Sequence, residues 1–247
     1  MEDVRKVAIF RHNLFKVSEP FIAQQAEHLR RYRPLYLGRW RFGQPPGGTE
    51  SLALQDLARW RALPLIGWQM ITRDPRPYQR LLKCHRPSLI HAHFGVEGVY
   101  ALPLAKRLKI PLVTTFHGFD ATLATRALLC SPAWAHYPLW RRKLAREGDL
   151  FICASSFIRD RILAMGFPEA RTRMHYIECM VDGRTGFLVP ERDEEALAGR
   201  MGELLDDPLR RRRMGLEGRA LIERRFDVYR QTEALESLYD ALFANAS

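Results

Sequence analysis

The hydrophobic pattern between residues 88 and 121 predicts a β-strand, a helix and a second β-strand. An apolar run begins at Leu89 and ends at Gly95. Apolar residues then recur at near-helical spacing over 96–108, and a run rich in β-branched residues follows over 112–116. Two strands joined by a helix in this way form a βαβ unit, whose strands are parallel and whose crossover is right-handed.

Similar patterns predict the remaining elements on either side of this unit. Strands are predicted over 4–10, 34–38, 150–154 and 173–177, and helices over 18–32, 52–60, 78–84, 122–129, 138–146 and 157–165. Beyond these, the pattern predicts a brief strand over 187–189 and helices over 193–205, 209–225 and 229–243. The fold class is therefore α/β, with a parallel sheet followed by a mostly helical C-terminal part.

Polar residues with useful chemistry follow both strands of the βαβ unit, in the segments 93–95 and 117–120. Ligands of open α/β sheets bind outside the carboxyl ends of the strands, so these segments are the predicted site. His117 can donate or accept a hydrogen bond near neutral pH, and Gly118 permits a close approach or a positive φ. Asp120 can orient a neighbour or accept hydrogen bonds from sugar hydroxyls.

The histidines of this region also allow a purely structural interpretation. His117 at a strand end is consistent with a side chain that only satisfies backbone groups. Alternation along the first strand puts His91 and His93 on the same face, where a buried and hydrogen-bonded core histidine is the commoner outcome. The sequence leaves both interpretations open.

The net charge of the chain indicates which classes of partner it can bind. Its 247 residues carry a formal net charge of +11. A basic surface suits an anionic membrane or an anionic acceptor, whereas no nucleic-acid-binding motif accompanies the charge. Apolar and aromatic residues beside arginines over 59–73 suit a membrane interface, although core packing explains the same pattern. The residues concerned are Trp60, Leu63, Leu65, Ile66, Trp68 and Met70, with Arg59, Arg61 and Arg73.

Cysteine usage and hydropathy predict a cytoplasmic protein, bound at most peripherally to the inner face of the membrane. No secretory signal and no run of about 18 apolar residues is present. At roughly 150–200 residues per domain, the 247 residues amount to one and a half domains. The cysteines lack paired metal-binding spacing, which favours unpaired thiols in a reducing compartment, and they are Cys84, Cys130, Cys153 and Cys179.

Four segments in the same order resemble one family. The sequence HAHFG at 91–95, followed by IPLVTTFHGFDA at 110–121, is similar to the N-terminal half of retaining GT-B glycosyltransferases of the group-1 or family-4 type. Those of exopolysaccharide and colanic-acid biosynthesis are the most similar in character. Three further segments resemble parts of the same family: SEPFI at 18–22 with Gln25, FICASSF at 151–157 with GFP at 166–168, and VDGRTGFLVP at 181–190.

The resemblance implies an internal gap. Segment 174–177 resembles the end of the family's first domain, whereas segment 178–183 resembles a late part of its second domain. The part between them, which in the family holds most of the donor-binding domain, has no counterpart here. We therefore expect an acceptor-side Rossmann-like domain over 1–177 and a remnant of the second domain over 178–247. The terminal helix is expected to pack back on the first domain through Leu235, Leu238, Tyr239 and Leu242.

The resemblance also implies a reaction and roles for single residues. The reaction is transfer of a sugar from a nucleotide-sugar to a glycan or lipid-linked acceptor with retention, in cell-surface polysaccharide synthesis, with no metal or other cofactor. His117 is the implied catalytic residue beside the transferred sugar. Donor-binding residues are mostly absent, with Glu178 as one candidate. Acceptor or substrate binding is implied for Ser18, Glu19, His93, Gly95, Gly118, Asp120 and Ser155.

Three features leave alternatives open. The loop after the first strand reads Arg11-His12-Asn13 and lacks the glycine pair that many GT-B proteins have there, so no phosphate contact is predicted for it. Ser155 is equally consistent with a plain helix N-cap. A shortened chain is also consistent with a non-catalytic binding or assembly module derived from such an enzyme.

Overall fold

The structure is a computed structural model that describes residues 4–57, 59–175 and 181–244. Its strands are β1 (Arg5–Phe10), β2 (Asn13–Leu14), β3 (Tyr32–Gly38), β4 (Trp40–Arg41), β5 (Ser51–Ala53), β6 (Leu89–His93), β7 (Leu112–Phe116), β8 (Leu150–Cys153) and β9 (Thr172–Met174). Its α-helices are α1 (Pro20–Glu27), α2 (Arg59–Thr72), α3 (Arg76–Leu81), α4 (Gly95–Leu108), α5 (Phe119–Thr122), α6 (Thr125–Leu129), α7 (His136–Glu147), α8 (Ser156–Ala164), α9 (Glu194–Asp206), α10 (Pro208–Arg225) and α11 (Val228–Ala244).

Seven strands form one sheet in the order β5-β3-β1-β6-β7-β8-β9, and every pair in it is parallel. From β1 the chain first extends the sheet on one side with β3 and β5. It then returns to the other side of β1 with β6. This reversal makes the gap between β1 and β6 the topological switch point, where open α/β sheets bind ligands. The predicted Rossmann-like parallel sheet is confirmed.

Alternate residues of the central strands pack into two separate hydrophobic cores, one on each face of the sheet. Val7 and Ile9 of β1 face a core that α1 and α11 complete. Ala8 and Phe10 face the opposite core, which side chains of α2, α3, α4, α7 and α8 cover. This is the period-two pattern of a strand that is buried on both faces, which explains why the central strands are apolar along their whole length.

The terminal helix α11 docks against the sheet as predicted. Leu235 and Tyr239 are buried in the core that contains α1, and Leu238 and Leu242 pack at its edge. Because these four residues recur at helical spacing, one stripe of the helix supplies the whole contact.

A buried glutamate fixes the same helix to the loop before β3. Glu236 is 2% exposed, and its Oε1 accepts the backbone N–H groups of Arg30, Arg31 and Tyr32 at 2.8, 2.7 and 3.2 Å. The Tyr32 hydroxyl donates to Asp240 at 2.7 Å, one turn further along the helix. These polar contacts add directional attachment to the apolar stripe.

The chain groups into two compact units. The first comprises residues 1–175 and 232–247, and the second comprises residues 176–231. In its described part, 181–231, the second unit contains α9, α10 and an isolated bridge between Asp182 and Gly186, but no β-strand. The strand predicted over 187–189 is therefore wrong. The grouping also places most of α11 with the first unit, whereas the predicted boundary assigns it to the second domain.

Two predicted helices differ from the structure for reasons beyond local sequence. The segment predicted as a helix over 52–60 instead pairs as β5 with β3 and then forms a 3₁₀ turn over Leu54–Asp56. The helix predicted over 18–32 ends at Glu27, and the backbone N–H groups of residues 30–32 bind Glu236 instead of extending it. In the described part of the chain, no helix has the length and apolarity needed to cross a membrane.

Candidate active site

Three loops meet at the carboxyl edge of the sheet, on the side of the switch point. They follow β1, β6 and β7, which are neighbours in the sheet. The loops carry residues 11–19, 94–97 and 117–120, including both segments that the sequence predicts as a site. The parallel topology therefore brings together side chains that lie far apart in the sequence.

His117 lies in this edge with its imidazole held from three sides. Its ring centroid is 4.8 Å from that of Phe21 and 4.7 Å from that of Phe94. Its Nε2 is 3.1 Å from Nδ1 of His93. Burial and the positive charge of Arg11 lower the pKa of His117 well below its ordinary value. The imidazole is therefore neutral at neutral pH, and as a half-buried residue it remains partly open to a ligand.

His91 and His93 lie on one face of β6, as alternation predicts. The two rings stack with centroids 4.3 Å apart, and both residues are 1% exposed. His91 contacts the Tyr239 hydroxyl through Nδ1 at 2.6 Å and Oγ1 of Thr115 through Nε2 at 2.7 Å. His91 is thus a satisfied core histidine. His93 is buried behind His117, and its role in substrate binding stays a prediction.

Asp120 organises the backbone of the site. It is fully buried, its Oδ2 accepts the N–H of Gly95 at 2.7 Å, and its Oδ1 accepts the N–H of Gly118 at 3.1 Å. Burial raises the pKa of Asp120 to about 6, although the backbone donors oppose this change. Of the two roles that the sequence leaves open for Asp120, the structure supports orientation of its neighbours. Direct binding of a sugar hydroxyl by Asp120 stays a prediction.

The two glycines of the site serve different purposes. Gly95 opens α4 against aromatic rings, and a Cβ there would lie 2.6 Å from Cε2 of Tyr137 and 2.7 Å from Cε1 of Phe116. Gly118 has φ +151° and ψ −78°, and no heavy atom lies within 4 Å of the position of a Cβ. Gly95 is therefore required by packing, whereas Gly118 takes a backbone conformation that other residues rarely adopt and leaves open space beside it.

A cluster of charged side chains around Arg11 lies at the switch point and was not predicted from the sequence. Arg11 binds both carboxylate oxygens of Glu19, from Nε at 2.7 Å and from Nη2 at 2.8 Å. Its Nη1 donates to Oε1 of Glu97, which also lies 3.1 Å from Nδ1 of His12. The Arg11 guanidinium covers the ring of Phe94 at 4.7 Å. One cation thus joins the ends of β1 and β6 to the start of α1.

This cluster changes the interpretation of two loop residues. Glu19 is the N-cap residue of α1 and its side chain makes no capping hydrogen bond, because it binds Arg11. Glu97 is 1% exposed. An arginine directly after β1 and a glutamate in the first turn after β6 are the sequence signals that could have revealed the pair. They become informative only once β1 and β6 are known to be neighbours.

The remaining predicted site residues lie in the loop after β1, in the loop after β8 or outside the described chain. Ser18 is exposed and lies directly before Glu19, the N-cap residue of α1. Ser155 caps α8, where its Oγ accepts the N–H of Ile158 at 3.2 Å. This contact fits the plain N-cap interpretation. Glu178 lies outside the described residues.

Three solved structures illustrate what this chain is similar to. A sucrose-phosphate synthase structure from Thermosynechococcus elongatus is 13% identical and has a TM-score of 0.60, with 98% of this chain and 100% of that chain covered. A UDP-N-acetylglucosamine 2-epimerase from Rickettsia bellii is 13% identical, with a TM-score of 0.46 and coverage of 83% of this chain and 50% of that one. The lipopolysaccharide outer core galactosyltransferase WaaB is 12% identical, with a TM-score of 0.47 and coverage of 76% and 50%.

The chain spans half the length of the epimerase and of the galactosyltransferase. No curated protein sequence matches it. The sequence profile of Glycosyltransferase Family 4 matches residues 23–183, which is more than half of the chain and includes the segments that follow β6 and β7. The chain therefore belongs to Glycosyltransferase Family 4.

Proposed function

We propose that this chain is the acceptor-side part of a GT-B glycosyltransferase. The reaction moves a sugar from a nucleotide-sugar to a glycan or lipid-linked hydroxyl with retention, in the synthesis of a cell-surface polysaccharide. The observation that carries the proposal is the position of His117 at the carboxyl edge of the sheet. There it is held by Phe21, Phe94 and His93 and remains partly accessible.

The chemistry of transfer matches what this edge offers. The bond between the anomeric carbon and the diphosphate oxygen breaks, and a bond to the acceptor oxygen forms, so catalysis depends on position and on stabilisation of developing charge. A neutral His117 can share a hydrogen bond with a hydroxyl of the transferred sugar. Gly118 leaves room for that sugar beside the backbone, and Asp120 holds the loop in place.

The departing diphosphate requires positive charge beside the transferred sugar. The charge of Arg11 acts on His117, but Glu19 and Glu97 already bind the Arg11 guanidinium. Diphosphate stabilisation is therefore assigned to a donor-binding half, supplied by another part of the protein or by a partner chain. Residues 1–177 would then bind the acceptor, while the donor-binding half stabilises the diphosphate.

The experiment is calorimetric titration of the 247-residue chain with UDP, GDP and their sugar conjugates. Micromolar binding that is lost in His117→Ala and kept in His28→Ala would show that the chain forms a donor site by itself. Cooperative melting without nucleotide binding would instead fit the acceptor-side assignment. In that case, restoration of sugar transfer by an added donor-binding chain would establish the enzyme.

The alternative is a binding or assembly module without catalysis. Under this alternative, neither the chain alone nor its mixture with a donor-binding partner transfers labelled sugar to a glycan or lipid-linked acceptor. Binding of the acceptor would persist. Measurement of sugar transfer therefore distinguishes the glycosyltransferase from the non-catalytic module, whereas measurement of acceptor affinity does not.

The second part of the proposal is a peripheral position on the inner face of an anionic membrane. Helix α2 presents an apolar stripe of Trp60, Leu63, Trp68 and Ile71, which fall on one side of the helix and are 71, 60, 50 and 75% exposed. The opposite side, which includes Ile66, is buried in the core. Aromatic and aliphatic side chains on the outer face of a helix suit the headgroup region of a bilayer.

Positive charge adjoins this stripe. Arg61 covers the Trp60 ring at 4.2 Å. Arg80 and Arg76, whose guanidinium binds the Asp74 carboxylate, line a small cavity with Trp68 and also line a cavity of about 770 Å³. The larger cavity has no carboxylate among its described lining residues, and its further cations are Lys83, Arg86 and Arg107. This charge favours anionic lipid over a second copy of the chain, which would bring the same positive charge to the interface.

Two of the three arginines that the sequence places beside these apolar residues do not contribute to this surface in the described structure. Arg73 is buried, its Nη1 donates to the carbonyl of Val99 at 2.9 Å, and its guanidinium covers Trp140. It is therefore not available to a lipid headgroup. The side chain of Arg59 lies outside the described residues.

Vesicle co-sedimentation tests this position. Binding to phosphatidylglycerol-containing vesicles, weak binding to phosphatidylcholine vesicles and loss of binding in Trp60→Ser/Ile71→Ser are expected. The matched control is Leu205→Ser/Leu209→Ser, which removes two similarly exposed apolar residues of α9 and α10. Equal binding by both double variants would contradict the assignment. A dimer that dissociates in Trp60→Ser/Ile71→Ser would show that a second copy covers the stripe.

A further inference from the structure

Three histidine rings form a continuous ladder from the core to the candidate active site. His91 stacks on His93 with ring centroids 4.3 Å apart and 28° between the planes, and the His117 ring meets the edge of His93 nearly in the same plane, with centroids 5.3 Å apart and 17° between the planes. The ladder ends at the only ring of the three that belongs to a half-buried residue. Its inner rings are thus positioned to act on the outer ring and not on a ligand.

The ladder has a fixed inner end. His91 uses both nitrogens in hydrogen bonds, one to Tyr239 of α11 and one to Thr115 of β7. Three elements therefore fix the plane of the His91 ring, and stacking transfers this order to His93. The arrangement provides a rigid support for the hydrogen bond between His93 and His117.

That hydrogen bond couples the protons of the two outer rings. Burial and neighbouring positive charges lower the pKa of His93 and of His117, so both imidazoles are neutral near pH 7. Each neutral ring carries one N–H, and of the facing nitrogens one must donate while the other accepts. Nε2 of His117 is committed to this bond. Its Nδ1 has no hydrogen-bond partner within the described chain and is the nitrogen left for a substrate.

We propose that His93 is a positioning residue that sets which nitrogen of His117 carries the proton. If Nδ1 of His93 donates, His117 offers an N–H at its own Nδ1; if Nε2 of His117 donates, His117 offers a bare Nδ1 acceptor. A fixed tautomer gives a substrate hydroxyl one defined partner. The inference rests on the proposed function, because that function gives the free nitrogen of His117 its use.

The test uses ¹⁵N NMR of the histidine side chains at pH 7.5, in the whole chain without ligand. His93→Phe keeps a stacking ring and removes the hydrogen bond. The wild-type chain is expected to show one predominantly protonated and one predominantly bare nitrogen in His117. In His93→Phe the two shifts should move toward each other, as the tautomers mix. Tyr239→Phe should change the His91 signals and leave those of His117 in place.

A second variant keeps the test decisive if His93→Phe does not fold. His93→Asn places an amide near the position of Nδ1 and should preserve one tautomer of His117 through a restored hydrogen bond. If His93 acts only by packing, the opposite result is expected. His93→Phe would then leave the His117 nitrogen shifts unchanged, and His93→Asn would change them. Unchanged His117 nitrogens in both folded variants would overturn the proposal. This readout does not depend on nucleotide binding, so its failure is distinguishable from failure of the proposed function.

Discussion

At the scale of single residues, Arg11 and Glu97 illustrate how charge is used at the switch point. Each is nearly inaccessible to solvent, and Glu97 sits in the first turn of α4, at the end of β6. A buried carboxylate is tolerated because a guanidinium and the ring of His12 lie against it. The cluster therefore makes the two strand ends depend on each other.

Arg11→Met is expected to destabilise the chain strongly. It leaves Glu97 buried without its cation, which typically costs about 3–5 kcal/mol in free energy of unfolding. Urea denaturation followed by circular dichroism measures the loss. Arg11→Met/Glu97→Gln should recover part of it, because the unpaired charge is removed as well. A double variant no more stable than Arg11→Met would show that packing of the arginine, and not its charge, is what matters.

Gly95→Ala is expected to destabilise by about 1–3 kcal/mol, because the added methyl overlaps the rings of Tyr137 and Phe116. The overlap would also shift the N–H that binds Asp120. A matched control is Gly215→Ala in α10, where no atom lies within 4 Å of the new Cβ. The control should be neutral or slightly stabilising, since alanine favours a helix. Thermal melting of both variants decides the point; equal melting temperatures would contradict the close approach at Gly95.

At the scale of elements, α11 belongs to the sheet although it comes from the far end of the chain. Its apolar stripe could be predicted from spacing, and the prediction that it packs back on the first domain is confirmed. The capping of residues 30–32 by Glu236 could not be predicted. A glutamate in a helix has the same local pattern whether it faces solvent or a distant loop.

Glu236→Ala is expected to lower the free energy of unfolding by about 1–3 kcal/mol or more. The variant leaves three backbone N–H groups at residues 30–32 without their acceptor. Glu233→Ala, one turn earlier on the exposed side of α11, is the control and should change stability little. Hydrogen exchange at Arg30 and Arg31 should accelerate in the first variant alone. Unchanged exchange there would exclude Glu236 as the acceptor in solution.

At the scale of the whole molecule, buried histidines should make the fold sensitive to acid. Burial lowers the pKa of His91 to about 3 and that of His175 to about 4, below the ordinary value of 6.5. The unfolded chain therefore binds protons below pH 6.5 that the folded chain refuses, so stability falls as the pH falls from 6.5 toward 3. Asp120 has the opposite effect. Because burial raises its pKa from 3.8 to about 6, its contribution increases stability as the pH falls from 6 to 3.8.

Thermal unfolding measured between pH 7.5 and 5 should thus show a falling midpoint. His117→Phe removes one of the histidines with a lowered pKa, and the pH dependence of the free energy of unfolding should become shallower by up to about 1.4 kcal/mol per pH unit. His28→Phe, near the surface, is the control. A slope that is the same in wild type and in His117→Phe would show that His117 is solvated in solution.

The sequence by itself determined the βαβ unit, the parallel sheet of the first unit, the helices of the tail and the position of the segments 93–95 and 117–120 at strand ends. Each of these follows from short-range periodicity, from strand-end chemistry or from a resemblance carried by contiguous motifs. Only the tertiary structure decided that Arg11 binds Glu97, that His93 stands behind His117 and that Asp120 holds backbone groups. These contacts join residues from different strands, and strand order is set by the packing of both faces of the sheet, which no local pattern contains.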